Sequence, residues 1–234
     1  MKSNPSIKWL ILFAVCALSS LPLLVLINTS LKPTSAIELY HPFLLPSEVT
    51  TEAWRAAWSL ACIGSDCRGL EPWIINSLVI AIPSLLLTIV IGLITGLALT
   101  FRIWTAKIVL GLLVLGLFIP PQVVLYPLII ALRTIGYFGS TTGLVLVHVV
   151  WGLPFTGLLF RGYFLSIPPE VFQLARLDGA SFAVILFRLI LPIVLPAIAA
   201  ASILQFTFIW NDFLLGLTFG DSFKQPVTVA LQAL

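Results

Sequence analysis

Apolar residues in this chain run in long blocks, without the alternation of a half-buried strand or the one-sided stripe of a soluble helix. A helix that crosses bilayer hydrocarbon needs about 20 mostly apolar residues. Five blocks have that character, at 7–27, 74–100, 108–132, 143–160 and 189–209. The polar segments between them differ. Residues 32–73 form a long loop holding Glu38, Glu48, Glu52, Asp66 and Glu71, more than half of the 9 acidic residues. Residues 101–107 are a tight basic turn, 133–142 a short glycine-containing loop, and 161–188 a longer, partly polar segment flanked by prolines. The pattern predicts an all-α integral membrane protein, one transmembrane domain over 1–234 with five visible spans.

Composition agrees. Hydrophobic residues make up 60% and charged residues 9%, with mean hydropathy +1.14. Soluble domains carry about 25% charged residues, so lipid must cover part of this apolar surface. The formal charge of +3 comes from scattered basic residues that form no patch, which argues against a nucleic-acid partner. Their distribution reads instead as topology. With the N-terminus inside, the inner segments carry Lys2, Lys8, Arg102, Lys107, Arg161, Arg176 and Arg188. The longer outer segments carry only Lys32, Arg55, Arg68, Arg133 and Lys224. The positive-inside rule therefore predicts a cytoplasmic N-terminus, an extracytoplasmic 32–73 loop and a cytoplasmic 161–188 loop. The first block is longer than a signal-peptide core and no small-x-small cleavage site follows it, so it reads as a retained span.

Individual residues in the spans say less. Pro22, Pro83, Pro120, Pro121, Pro127, Pro154, Pro192 and Pro196 fit helices bent around a solute path, while for any single one an ordinary kink or helix end is the plainer reading. Gly92 and Gly96 form a GxxxG pair that permits close helix approach. His148 is a candidate proton relay. With no acidic neighbour in any span, a hydrogen-bonded packing role is the simpler reading. Cys62 and Cys67 lie close together in the outer loop and are a candidate disulfide in an oxidising compartment. Cys16 is packing, and two cysteines alone do not make a structural metal site.

The informative stretch is RGYFLSIPPEVFQLARLDGASFAVILFRLILPIVLP, from Arg161. Pro168 and Pro169 suit a first helical turn, and Glu170 complements that helix end. Val171, Leu174, Ala175 and Asp178 follow at helical spacing, with Phe172, Gln173 and Arg176 on other faces. Gly179 is placed for a left-handed cap, and Ser181 to start a second helix back into the membrane. The residues predict two short helices joined by a glycine elbow, with an amphipathic helix resting on headgroups as the plainer alternative.

This run resembles the hallmark of binding-protein-dependent ABC importer permeases, especially their maltose-type sugar branch. The matching pieces are WGLPF (151–155), RGYF (161–164), IPPE (167–170), ARLDGAS (175–181) and the re-entering LP (191–192). Weaker echoes are INTSLKP at the end of the first span, NSL at 76–78 and WNDFLLGLTF at 210–219. The resemblance implies a helix bundle of the type I importer kind. It also implies an EAA-type coupling loop that docks in a groove of a cytoplasmic ABC ATPase dimer, with Glu170, Gln173, Leu174, Ala175, Asp178 and Gly179 as coupling residues. A second permease subunit and an extracytoplasmic solute-binding protein complete the implied assembly. No catalytic residue, metal or cofactor is expected on this chain, ATP and magnesium belonging to the partner; no P-loop pattern is present. Two departures stand out. The family's Glu-Ala-Ala triplet reads Gln173-Leu174-Ala175, leaving Glu170 to compensate on the same face, and a sixth span expected in this branch is absent before Leu234.

For the solute, sugar sites pair aromatic faces with amides or carboxylates, so Gln122, Tyr126, Trp210, Asn211 and Asp212 are candidate path residues, although interfacial anchoring or packing is the plainer reading of each. An ion-driven secondary transporter would need an ionisable group near the bilayer midplane, and no acidic or basic residue stands near the middle of a block beyond His148. A membrane scaffold needs only apolar spans, and leaves the ordered 161–188 loop without a purpose.

Overall fold

The structure is a computed structural model and describes residues 5–33, 41–64, 66–100, 104–221 and 224–232. Lys2 and Arg102 of the orientation reading lie outside these residues, as does part of the 32–73 loop. The chain divides into two compact units, one up to Glu71 and one from Pro72 onward. The described residues are helical apart from loops and one isolated bridge between Ile63 and Asp66.

The first unit holds α1 (Pro5–Ser30), α2 (Glu52–Ser59) and a loop closed by a Cys62–Cys67 disulfide. The end of α1 gathers the following chain. Asn28 Nδ2 donates to the Pro42 and Leu44 carbonyls, both at 2.8 Å, and Thr50 N–H donates to Leu31 O at 3.0 Å. Lys32 is buried there, with its ammonium donating to His41 O at 3.3 Å.

The second unit is built around α6 (Thr141–Leu165), the most buried of the long helices. It starts where Ser140 Oγ accepts from Gly143 N–H at 3.0 Å, satisfying one of the free amides of the first turn. Packed with it are α4 (Trp104–Phe118), α9 (Leu191–Trp210) and α10 (Leu214–Phe219). α3 (Glu71–Ala98) brings its glycines against the same helix. A Cβ added at Gly92 would stand 2.7 Å from Thr156 Cβ, and one at Gly96 the same distance from Phe160 Cβ. The GxxxG pair thus allows the close approach its spacing predicts, leaving Thr156 and Phe160 fully buried.

One predicted span is corrected. The block 108–132 is not a single helix but α4 followed by α5 (Pro121–Thr134), bent by 115°. The cause is the Pro120–Pro121 pair. Pro120 takes an extended backbone (ψ 140°) because a following proline disfavours the helical region, and neither residue has an amide to donate. Among the described residues, four helices are long and apolar enough to cross a membrane, or five with the bent pair taken as one. The last span also begins earlier than its apolar block suggests. After the short α8 (Phe182–Val184) comes a π-helical turn, Ile185–Ile190, in which Leu191 N–H donates back to Leu186 O. Pro192 lacks the amide that would bond Arg188 O, and its ring crowds that carbonyl, so the wider turn forms just before it.

Candidate functional site

Two places in the second unit carry chemistry. The first is the 161–188 segment. Pro168 caps and Pro169 opens α7 (Pro169–Leu177), with Glu170 in its first turn and Arg176 in its last. Asp178 N–H donates to Leu174 O, Gly179 N–H to Arg176 O and Ala180 N–H to Ala175 O, each at 3.0 Å. Gly179 has φ +75°, the left-handed conformation a glycine cap supplies. Ser181 Oγ accepts from Val184 N–H at 3.4 Å, starting the return helix.

The faces of α7 differ in one respect from the spacing argument. Val171, Phe172 and Ala175 pack on a core of Phe164, Ile167, Ile185 and Ile190. Phe172, expected on another face, therefore points to the protein body, and Leu174 points away from it. The outward face presents Glu170, Gln173, Leu174 and Asp178, with Gly179 at its end. It also presents Leu177, which sequence reasoning passed over although it is 82% exposed. An apolar residue directly before the Asp-Gly stop, out of phase with the Val171 and Ala175 stripe, was the available signal. Glu170 and Gln173, one turn apart, share this exposed side.

The second place is a cleft of about 380 Å³ between α4, α6 and α9, lined by Gly116, Trp151, Gly152, Phe155, Gln205 and Phe208. Gln205 is 4% exposed and its Nε2 has no hydrogen-bond partner among the described residues. A buried, unpaired amide donor is costly, and this one stands in a wall of aromatic faces. Sequence reasoning missed it; the signal was a lone amide inside the apolar run ILQFTF.

Of the residues singled out for a solute path, Asn211 and Asp212 lie together in a neighbouring cleft of about 600 Å³, with Leu204 and Phe208. Trp210 stacks on Phe206, with centroids 5.5 Å apart. Gln122 and Tyr126 are exposed on α5 and line neither cleft. Asp212 has structural work: its oxygens accept from Leu215 N–H at 3.3 Å and Gly216 N–H at 2.9 Å, capping α10, and its carbonyl accepts from Thr228 Oγ1 at 2.6 Å. Burial pushes its carboxyl above the usual carboxylate range, against the pull of the two amides. His148 does have an acidic neighbour, unlike the sequence expectation. Its Nε2 lies 3.8 Å from Asp212 Oδ2, because the turn after α9 folds back onto α6. That oxygen is already engaged with Gly216, so the pair reads as part of the cap.

Residues 88–234 match the family described as binding-protein-dependent transport system inner membrane component. The diacetylchitobiose uptake system permease protein of Streptomyces coelicolor is 31% identical over 96% of this chain and 72% of its own length. The xylose/arabinose import permease protein of Haloferax volcanii is 30% identical over 89% of this chain and 72% of its own. A probable ABC transporter permease protein of Pyrococcus horikoshii is 36% identical over 62% of this chain, which spans only 52% of that relative's length. Among solved structures, a bacterial ABC transporter involved in import of the acidic polysaccharide alginate superposes with TM-score 0.75. It is 20% identical and covers 97% of this chain and 77% of its own, so it establishes a shared fold.

Proposed function

The chain belongs to the family of binding-protein-dependent transport system inner membrane components, and on that premise we propose that it is the permease subunit of an ATP-driven importer for a sugar or sugar-like solute. Subunits of this family are not the catalytic ones, and hydrolysis resides on a partner. The observation that carries the reading is the outward face of α7. Leu174 and Leu177 stand uncovered beside Glu170, Gln173 and Asp178, held in one orientation by the Gly179 elbow. A short, rigid helix with an exposed apolar pair fits a groove on a cytoplasmic ATPase dimer that binds ATP and magnesium. This helix lies inside if the N-terminus is cytoplasmic, the orientation the basic residues favour. Gln173 offers that groove a neutral amide, and Glu170 the charge.

Movement of α7 passes to the spans through Phe172 and Ala175, which pack on the core that includes Ile185 and Ile190 of the π-helical turn. A second permease, as a heterodimer, would complete the path, and an extracytoplasmic binding protein would deliver the solute. The sugar class is supported by the names of the relatives and by the cleft, where a Trp151 face and the unpaired Gln205 amide offer what a sugar ring and its hydroxyls need. The test is ATP hydrolysis by the reconstituted importer with its binding protein, against a panel of mono- and disaccharides. One sugar should stimulate hydrolysis, and Gln205→Leu should raise the half-stimulating concentration about tenfold, the worth of one hydrogen bond of about 1.4 kcal/mol. Stimulation only by non-sugar solutes refutes the substrate class; hydrolysis indifferent to every solute refutes the importer.

A further inference from the structure

The first unit carries an exposed tryptophan pair on α2. α2 carries Trp54 and Trp58 one turn apart, and both are at least half exposed. Its other side, Ala53, Ala56 and Ala57, is partly covered by the unit's own loop. Leu70 N–H donates to Ala57 O at 3.0 Å, Gly69 N–H donates to Ala61 O at 2.9 Å, and the Cys62–Cys67 disulfide closes the loop. The alanine face is therefore spoken for, and the tryptophans are presented outward by a braced helix.

The depth of this helix follows from α1. Its 26 residues at about 1.5 Å each give roughly 39 Å, more than the ~30 Å hydrocarbon core. Its Ser30 end therefore emerges among the headgroups. Thr50 is bonded to Leu31 O, and α2 begins two residues later, at Glu52. Two residues reach at most about 7 Å, and the headgroup layer is itself about 5–8 Å thick on each side. α2 thus starts inside or at the edge of that layer. Tryptophan favours this zone because its ring is apolar and its N–H needs a polar partner. Arg55 stands between the two tryptophans in sequence and is exposed to reach phosphates. The exposed tip Phe43–Leu44–Leu45, pinned to the same end of α1, adds apolar surface at the same level.

We propose that α2 is an interfacial anchor, laid in the headgroup layer where α1 leaves the membrane, with Trp54 and Trp58 inserted among the lipids and Arg55 on their phosphates. This rests only on α1 crossing the bilayer, on whichever side it ends, and not on the importer reading. The occupant is the phospholipid interface of the same membrane, because the hydrogen bonds at Asn28 and Leu31 hold the chain leading into the helix at the end of α1.

The experiment uses the full protein in nanodiscs made with phospholipid brominated near the top of the acyl chains. Emission of the unaltered protein minus that of the Trp54→Phe/Trp58→Phe variant isolates these two of the 7 tryptophans. That difference should fall about twofold in brominated lipid and resist aqueous iodide, as interfacial indoles do. Quenching by iodide and not by bromine overturns the proposal, and so does protection from both, which would mean a protein partner covers the pair. Should the double variant not assemble, a photoactivatable phospholipid with its reactive group near the headgroup is applied to the unaltered protein. Labelling of the 43–60 peptide is then expected, and labelling confined to the spans overturns the anchor.

Discussion

Gly179 is the residue on which the proposed coupling segment turns, and its backbone conformation is why a side chain there should matter. An added Cβ meets no atom of the described residues within 4 Å, so crowding is not the issue. The cost is entirely in the backbone, since φ is +75° and an L-residue in the left-handed region pays about 1–2 kcal/mol. That reduces occupancy of the elbow by about 5–30-fold. The relaxed elbow redirects α7 and the way Leu174 and Leu177 meet a partner. The assay is solute uptake per ATP hydrolysed in proteoliposomes, with membrane insertion checked by yield. Gly179→Ala should lower coupling severalfold. Gly179→Val should be worse, because branched residues tolerate positive φ least. Gly179→Asn should stay near the unaltered protein, because asparagine visits this region readily. All three should insert normally. Normal coupling in the valine variant refutes the reasoning; an asparagine variant as poor as the valine one refutes its conformational basis.

Gly96→Leu should lower the thermal unfolding midpoint in detergent by the equivalent of about 1–3 kcal/mol, because its Cβ would stand 2.8 Å from the Arg161 backbone nitrogen as well as against Phe160. Gly111→Ala in α4, where a Cβ meets nothing within 4 Å, should leave the midpoint unchanged or raise it, and a drop would contradict the packing described. Ser140→Ala should cost about 1 kcal/mol by removing the cap of α6; equal midpoints for the two proteins would show that the cap contributes nothing.

Much of this was legible in the sequence because the signals are local. Apolar block length gave the long helices, Pro168–Pro169 the start of α7, and Gly179 its left-handed end. The readings that failed depend on contacts between distant residues or on competing backbone effects. The block 108–132 has the length and apolarity of one span, and only the backbone consequence of Pro120–Pro121 divides it. His148 gained Asp212 as a neighbour through a turn sixty-odd residues later, which periodicity does not see. Gln205 is one polar residue in an apolar helix, and only the packing of α6 sets the Trp151 and Phe155 faces beside it. On α7 the helical period was right but the phase was not, since Phe172 fills the space beside Phe164 and Ile185 and leaves Leu174 outside.

The central claim is that α7 couples this chain to an ATPase, and isolating the protein at natural length in mild detergent with mass spectrometry of its companions tests it most directly. The account predicts an ABC-type ATPase and a second permease alongside the unaltered chain. It further predicts loss of the ATPase, with retention of the permease, from Leu174→Asp/Leu177→Asp, whose exposed positions leave the fold intact. A stable chain recovered without any ATPase, or a double variant that keeps it in full, would contradict the account.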